Sequence, residues 1–269
     1  ATLLLKNVQI SDQGVYDCYV STVEGKKEGS IKLKVAAPSK NSSLILDIQN
    51  GTRVLNCSTV DGFPLPSLNW LDESGIECDQ ESKKESINTK TGLFSVTSTL
   101  HVRKPNTAYY CTIQNYILNQ TWTGSWKLQD PVQGKENTQA TILCAFHSKT
   151  GLRESPVSWD IRKLGESSSI ITCHGEPQQC KTDETYRNRI ISTKNLTEES
   201  VSFFLKDLSS SDEGEYLCSV TSESNMRLFS TPLSVVVESQ LWRHRYPLYS
   251  AAVATCVLCA LFLFGIIKC

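Results

Sequence analysis

The stretch SDEGEYLC, residues 211–218, carries the pattern Asp-x-Gly-x-Tyr-x-Cys, and SDQGVYDC, residues 11–18, carries the same pattern near the start of the chain. In immunoglobulin-type sandwiches this pattern lies at the corner that leads into strand F. The Tyr hydroxyl there bonds back to the backbone, and the Cys forms half of the disulfide between the two sheets. The two stretches therefore predict two such sandwiches, with Tyr16 and Tyr216 as corner tyrosines.

Between these stretches, a Cys–Trp–Cys series indicates a further sandwich. Cys57 lies in TRVLNCS, Trp70 follows in SLNWL, and Cys111 comes later in AYYCTIQN. A core Trp between two bridged cysteines at this spacing is typical of immunoglobulin domains. The interval leaves room for seven strands, so we predict a constant-type domain over residues 38–130 with a Cys57–Cys111 disulfide.

The corner of this middle domain departs from the pattern. Tyr109 stands two residues before Cys111, where the corner tyrosine belongs. Lys104-Pro105-Asn106 replaces the usual Asp-x-Gly ahead of it. We therefore expect Tyr109 to lie at a corner that is built differently from the other two.

The third domain has a longer interval between its cysteines. Cys144 in ATILCAF and Trp159 in VSWDI precede Cys218, and we predict a Cys144–Cys218 disulfide. The interval it would close exceeds that of the middle domain by twenty residues (218 − 144 against 111 − 57), which is about one extra hairpin. Variable-type sandwiches have two additional strands of this kind, so we predict a variable-type domain over residues 131–238.

A charged pair is expected in the same domain. Arg189, in YRNRII, precedes the corner motif that contains Asp212. Variable-type domains often pair an Arg at the start of strand D with the Asp of the corner motif. We therefore predict an Arg189–Asp212 salt bridge.

Residues 1–37 are predicted to be the C-terminal remnant of another variable-type domain. TLLLKNVQI, VYDCYVSTV and SIKLKVAA have the composition and alternation of strands E, F and G, with EGKKEG, residues 24–29, as the turn between F and G. Cys18 needs a partner on strand B, and no cysteine precedes it. We therefore expect that the sequence is N-terminally truncated.

The C-terminal part predicts a membrane anchor. PLYSAAVATCVLCALFLFGII, residues 247–267, has no charged residue, and as a helix it would extend over roughly 31 Å, the thickness of a bilayer core. Residues 239–246 would form a juxtamembrane stalk, and residues 268–269 would begin a cytoplasmic tail. Five Asn-x-Ser/Thr sequons precede the apolar segment, at Asn41, Asn50, Asn56, Asn119 and Asn195. These features predict a glycosylated, single-pass plasma-membrane protein whose N-terminal side is extracellular.

The other cysteines fit an oxidising compartment. Cys173 and Cys180, in TCHGEPQQCKT, flank a Gly and a Pro and are predicted to form a local disulfide. A zinc site at Cys173-His174 and Cys180 is not expected, because the spacing fits no standard set of four ligands. Cys78 is left without a predicted partner, either as a free thiol, which we favour, or as an intermolecular link.

Composition argues against several function classes. The formal net charge is −1 and there is no long basic run, so a nucleic-acid partner is not expected. The sequence has no nucleophile elbow, no Gly-rich phosphate loop and no His-Glu-x-x-His motif, so we predict neither an enzyme nor a cofactor, metal or small-molecule substrate. The remaining expectation is recognition by loops and sheet faces on rigid sandwiches.

Three stretches resemble a known family. YYCTIQNYILNQTWTGSW (109–126), FPLPSLNW (63–70) and DLSSSDEGEYLCSV (207–220) are similar to segments of the B-seven/butyrophilin family of T-cell co-signalling ligands. GVYDCYV (14–20) is similar to the end of that family's first domain. The similarity extends in order over nearly the whole chain and follows a variable–constant–variable layout, followed by one transmembrane helix.

This resemblance implies a cell-surface ligand of immunoglobulin-superfamily receptors on T cells or natural killer cells, which would modulate their activation. In the family, receptors are generally engaged by the first-domain face that carries strands C, F and G. The candidate contact residues in this sequence are Tyr19, Ser21, Val23, Lys26 and Lys27. Two other functions remain open: a homophilic adhesion or spacer protein, and an immune receptor with signalling motifs in its tail.

Overall fold

The computed structural model describes residues 2–145, 158–166, 168–174, 179–192 and 200–237. Within these ranges the chain is all-β, with eighteen strands and two three-residue 3₁₀ helices, Ile10–Asp12 and Ser210–Asp212. The described strands form a hairpin near the N-terminus and two sandwiches. The prediction of an all-β protein built from immunoglobulin-like domains is therefore confirmed.

The N-terminal hairpin consists of β1 (Gly14–Thr22) and β2 (Gly25–Leu33). Two details of its prediction are wrong. The turn is the two-residue link Val23–Glu24, since Thr22 pairs with Gly25, so most of EGKKEG lies inside β2. Residues 2–9 form no strand, because the described residues offer them no neighbouring strand with which to pair.

The middle domain has the seven strands expected of a constant-type sandwich. They are β3 (Lys40–Gln49), β4 (Thr52–Gly62), β5 (Ser67–Asp72), β6 (Ser82–Ile87), β7 (Phe94–His101), β8 (Tyr109–Asn115) and β9 (Gln120–Leu128). One sheet has the order β3-β4-β7-β6, and the other contains β5, β8 and β9. These sets correspond to strands A-B-E-D and C-F-G of the constant type.

The third domain contains nine described strands, including the extra hairpin. They are β10 (Val132–Lys135), β11 (Ala140–Ala145), β12 (Ser158–Lys163), β13 (Ser169–His174), β14 (Gln179–Thr182), β15 (Ile190–Ser192), β16 (Ser200–Leu205), β17 (Gly214–Thr221) and β18 (Asn225–Val236). Strands β11, β16 and β15 form one sheet, and the others join the second. The pair β13–β14 occupies the place of the two additional strands of a variable-type domain.

The middle and third domains share one sheet of nine strands. Strand β18 pairs in parallel with β9 over Asn225–Ser230, so the order runs β14-β13-β12-β17-β18-β9-β8-β5, and β10 also pairs with β18. The two hydrophobic cores lie on opposite faces of this sheet. Tyr216 and Cys218 of β17 face the core of the third domain, whereas Leu217 between them belongs to the core of the middle domain.

The predicted transmembrane segment, residues 247–267, lies outside the described residues, as do the stalk and the tail. In the described part of the chain, no helix has the length and apolar character that a membrane span requires.

Candidate functional site

The β1–β2 hairpin separates the predicted contact residues onto two faces. Residues directly opposite each other in an antiparallel pair point to the same side of the sheet. Tyr19 pairs with Glu28 and Ser21 pairs with Lys26, so these residues share one face, here called the outer face. Lys27 pairs with Val20 and therefore lies on the opposite face. The structure thus brings Tyr19, Ser21 and Lys26 together and places Lys27 apart from them.

The outer face is open to solvent. The side chain of Tyr19 is 71% exposed, and Val23, in the turn, is fully exposed. An aromatic ring and a lysine at the tip of a regular hairpin can provide apolar contact area and a positive charge to a partner protein. The arrangement supports binding.

The corner that precedes β1 is formed as the sequence predicts. The hydroxyl of Tyr16 donates to the carbonyl of Asp12 over 2.7 Å, and the backbone N–H of Gln9 donates to the Asp12 carboxylate over 2.8 Å. The corner of the third domain repeats this geometry. The hydroxyl of Tyr216 donates to the carbonyl of Asp212 over 2.8 Å, and burial raises its pKa.

The corner of the middle domain uses a different bond, as its altered motif predicts. The hydroxyl of Tyr109 accepts a hydrogen bond from the backbone N–H of Lys104 over 3.0 Å. The predicted core residue Trp70 is buried in the same domain, where its Nε1–H donates to the hydroxyl of Ser98 over 3.0 Å. The side chain of Trp159, predicted to be the equivalent in the third domain, lies outside the described residues.

The link between the hairpin and the middle domain is tied by hydrogen bonds. The backbones of Ala37 and Phe63 exchange two, of 2.8 and 3.0 Å. The buried Asn115 donates from Nδ2 to the carbonyl oxygens of both residues, at 3.0 and 3.1 Å. These bonds fix where the chain leaves the hairpin domain and enters the middle domain.

The Arg189–Asp212 salt bridge is present in the third domain. The guanidinium of Arg189 donates to both carboxylate oxygens of Asp212, at 2.5 and 3.0 Å. Burial on its own would raise the pKa of Asp212, but hydrogen bonds from Arg189 and Ser209 outweigh it and hold that pKa below its ordinary value. The pKa of Arg189 is raised by its hydrogen bonds to Asp212.

Two of the predicted disulfides are described. Cys57 and Cys111 join the two sheets of the middle domain, and Cys173 and Cys180 join the adjacent strands β13 and β14. Cys218 is also disulfide-bonded, but the side chain of Cys144 lies outside the described residues, so that pairing stays a prediction. Cys18 and Cys78 carry free thiols, and burial raises the pKa of the Cys78 thiol.

The joint between the middle and third domains contains residues that the sequence analysis did not select. The guanidinium of Arg53 on β4 makes two hydrogen bonds to the carboxylate of Glu215 on β17, at 2.6 and 3.1 Å. The buried indole N–H of Trp126 donates to the hydroxyl of Ser230 over 2.9 Å. Arg53 and Glu215 are 162 residues apart, so no local pattern reveals their contact.

This joint covers part of the third domain's own F–G surface. Leu217 on β17 and Leu228 on β18 point away from the core of the third domain, yet each is only 1% exposed because both pack into the core of the middle domain. Ser230, on the same face, is completely buried. Between the β17–β18 face and the outer face of the β1–β2 hairpin, the hairpin's is therefore the one that is open in the described residues.

The four described sequons differ in accessibility. Asn41, Asn50 and Asn119 are exposed and adopt positive φ angles of 48°, 50° and 52° in turns or at strand starts. Asn56 lies on β4, is half-buried, and accepts a hydrogen bond from the Thr99 hydroxyl over 2.8 Å. Asn195 lies outside the described residues. Across the described ranges, no group of His, Cys, Asp or Glu residues is arranged to hold a metal ion.

Comparison with known families assigns both sandwiches to immunoglobulin domain classes. Residues 127–238 match the immunoglobulin V-set domain, and residues 40–123 match the immunoglobulin-C domain of the type found in butyrophilin subfamily 3 member A2. The chain is thus a multidomain immunoglobulin protein with a V-set domain after an immunoglobulin-C domain.

Its homologues are B7-family and butyrophilin proteins, so the resemblance seen in the sequence is confirmed. The chain is 28% identical to human HERV-H LTR-associating protein 2 over 100% of its own length and 64% of that protein. It is 30% identical to human V-set domain-containing T-cell activation inhibitor 1, over 61% of this chain and 58% of that protein. It is 32% identical to mouse butyrophilin subfamily 1 member A1, over 45% of this chain and 23% of that protein. The chain therefore spans less than two thirds of each relative. These homologues are immunoglobulin-superfamily immune ligands, which are not enzymes.

Proposed function

We propose that this chain belongs to a plasma-membrane ligand of the immunoglobulin superfamily that binds receptors on T cells or natural killer cells and modulates their activation. The homologues support this proposal, since one of them is named as an inhibitor of T-cell activation. The contact surface in the proposal is the outer face of the β1–β2 hairpin, with Tyr19, Ser21, Val23 and Lys26.

The observation that carries the choice of surface is the contrast between the two F–G faces. In the third domain that face is buried against the middle domain, where Leu217 and Leu228 are each 1% exposed. On the hairpin it is open, with Tyr19 71% exposed. A receptor reaching the described residues from another cell finds an unobstructed aromatic anchor on the hairpin.

Two neighbouring lysines on opposite faces provide a matched test. The full chain would be displayed on presenting cells together with Tyr19→Ala, Lys26→Ala and Lys27→Ala variants. Binding of soluble receptor ectodomains and the cytokine release of co-cultured T cells would be measured. We expect Tyr19→Ala to weaken binding about tenfold or more, as truncation of an aromatic anchor does. Lys26→Ala should weaken it by a smaller factor, and Lys27→Ala should match the unaltered chain.

Three results would count against the proposal. Equal effects of Lys26→Ala and Lys27→Ala would show that the outer face is not the contact surface. Aggregation among cells that all display the chain, without binding to T cells or natural killer cells, would indicate homophilic adhesion. Activation of the displaying cell, with no effect on the opposing cell, would indicate an immune receptor.

A further inference from the structure

A groove lies at the joint between the middle and third domains, on the side away from the Arg53–Glu215 pair. The middle domain contributes Asn41, Asn119, Thr121 and Trp122, and the third domain contributes the turn at residues 221–224 between β17 and β18. A hydrogen bond from the backbone N–H of Thr123 to the carbonyl of Ser224, of 3.0 Å, closes one end of the contact between the domains. We call this feature the junction groove.

The lining of the junction groove has the chemistry that carbohydrate requires. The exposed side chains of Asn41 and Gln120 present both donors and acceptors, and the exposed Thr121 hydroxyl does the same, so this part of the lining can match the hydroxyl and amide groups of a sugar. Trp122 is half-buried and contributes an aromatic surface on which a sugar ring can pack. The groove has a volume of about 580 Å³, within the range of sites that hold small organic groups.

Two sequon asparagines, Asn41 and Asn119, belong to the lining. Asn119 ends an exposed turn whose preceding residues are apolar, with Tyr116 72% and Ile117 42% exposed. A bulky polar group attached at Asn119 would cover that apolar surface and begin inside the groove. No comparable apolar turn adjoins Asn41, which is preceded by Ser39 and Lys40.

From this arrangement we infer that Asn119 carries an N-linked glycan whose first sugars occupy the junction groove and hold the β17–β18 turn of the third domain against the middle domain. The donor is a lipid-diphosphate-linked oligosaccharide of the secretory pathway. The bond between the amide Nδ2 of Asn119 and the sugar C1 forms, and the bond between C1 and the diphosphate oxygen breaks. The amide loses one proton, and the lipid diphosphate leaves. This inference is independent of receptor binding by the hairpin.

Position 121 allows a sharp test, because Thr121→Ser keeps the sequon and Thr121→Val destroys it while keeping a β-branched residue in the strand. The full chain and both variants would be made in mammalian cells. Enzymatic deglycosylation in ¹⁸O-water, followed by mass spectrometry, would report occupancy at Asn119. Hydrogen exchange of the backbone amides at residues 221–225 would report how firmly the turn is held.

We expect Asn119 to be occupied in the unaltered chain and in Thr121→Ser, and unoccupied in Thr121→Val. The turn amides should then exchange about three- to tenfold faster in Thr121→Val than in Thr121→Ser, the factor that corresponds to losing one net hydrogen bond. Asn50→Gln, which removes an exposed sequon outside the groove, should leave the turn unchanged. An unoccupied Asn119 in the unaltered chain, or equal exchange in the two Thr121 variants, would overturn the inference. So would faster exchange in Asn41→Gln alone, since the groove would then hold the glycan of Asn41.

Discussion

The Arg189–Asp212 pair shows how a single ion pair joins separate parts of the third domain. The carboxylate of Asp212 is almost fully buried. It accepts hydrogen bonds from the guanidinium of Arg189 and from the backbone N–H and the hydroxyl of Ser209. Its own carbonyl accepts the hydroxyl of Tyr216. Asp212, in the 3₁₀ helix, therefore connects Arg189, the residue before β15, to Tyr216 on β17. A buried carboxylate of this kind stabilises the fold only when its cation is opposite it.

We predict that Arg189→Met lowers the free energy of unfolding by about 3 kcal/mol, because it leaves a buried carboxylate without its cation. Arg187→Met is the matched control: Arg187 pairs with Glu184 only at the surface, where its side chain is 61% exposed, and its loss should change stability by less than about 0.5 kcal/mol. Urea unfolding of the purified chain and of both variants measures the difference. Equal losses in the two variants would show that the Arg189 pair contributes no more than a surface contact.

A pH series gives a second readout of the same pair. The folded-state pKa of Asp212 lies below its ordinary value of 3.8, so the folded chain holds this proton less tightly than the unfolded chain does. The pair's contribution is therefore complete above that ordinary pKa and is lost as pH falls through the folded-state pKa. The difference in the free energy of unfolding between the unaltered chain and Arg189→Met should accordingly become smaller as the pH falls. If this difference in the free energy of unfolding stays constant as the pH falls through the folded-state pKa of Asp212, the account is contradicted.

At the scale of the elements, patterns that depend on local spacing were predictable, and patterns that depend on pairing were not. The extra twenty residues between Cys144 and Cys218 predicted the β13–β14 hairpin, because variable-type sandwiches use an interval of about this length for two added strands. The turn of the first hairpin was misplaced at EGKKEG because its two glycines are typical turn residues. In the structure the pairing of Thr22 with Gly25 fixes a two-residue turn and keeps those residues in β2.

The β13–β14 hairpin lies at one edge of the nine-stranded sheet, and its disulfide replaces support that a second neighbour would give. Strand β14 has four residues and pairs with β13 alone among the described strands. Cys173 and Cys180 face each other directly across the pair, and Cys173 is fully buried while Cys180 is exposed. The bridge therefore anchors a short outer strand to a residue of the core.

We predict that Cys180→Ser releases β14 from the sheet while the rest of the chain stays folded. Closing a loop of this size contributes about 2 kcal/mol, so amide exchange of residues 179–182 should rise about tenfold or more. Lys181→Ser, a change at an exposed neighbour in the same strand, keeps the bridge and serves as the control. If β14 exchanges at the same rate in both variants, backbone pairing rather than the disulfide holds this edge.

At the scale of the whole molecule, the shared sheet makes the middle and third domains one structural unit. A strand presents alternate side chains to opposite faces, so β18 can place Phe229 toward the core of the third domain and Leu228 toward the core of the middle domain. Sequence spacing revealed each sandwich separately, because each has its own cysteines and tryptophan. It could not reveal their joint, since β9 and β18 pair across about a hundred residues of chain. Neither strand has a sequence pattern that identifies the strand with which it pairs.

This joint also bears on how the proposed contact surface is presented. The hairpin is joined to the middle domain at a link that is held by hydrogen bonds among Ala37, Phe63 and Asn115. The middle domain is in turn held to the third by a parallel strand pair and by Arg53–Glu215. If a receptor binds the hairpin as proposed, a pull on the hairpin would be transmitted to two domains that share one sheet.

We predict that Leu228→Ala, although it lies in the third domain, opens the middle domain. Leu228 is 1% exposed and packs into the core of the middle domain beside Trp126, so its truncation should cost about 2–5 kcal/mol there. Hydrogen exchange of the β4 and β8 amides should therefore accelerate. Phe229→Ala changes the adjacent residue, which faces the other core, and should accelerate exchange in β11 and β16 instead. Unchanged exchange of β8 in Leu228→Ala, or equal acceleration of β8 by both variants, would mean that the two cores are not divided between the faces of one sheet as the structure describes.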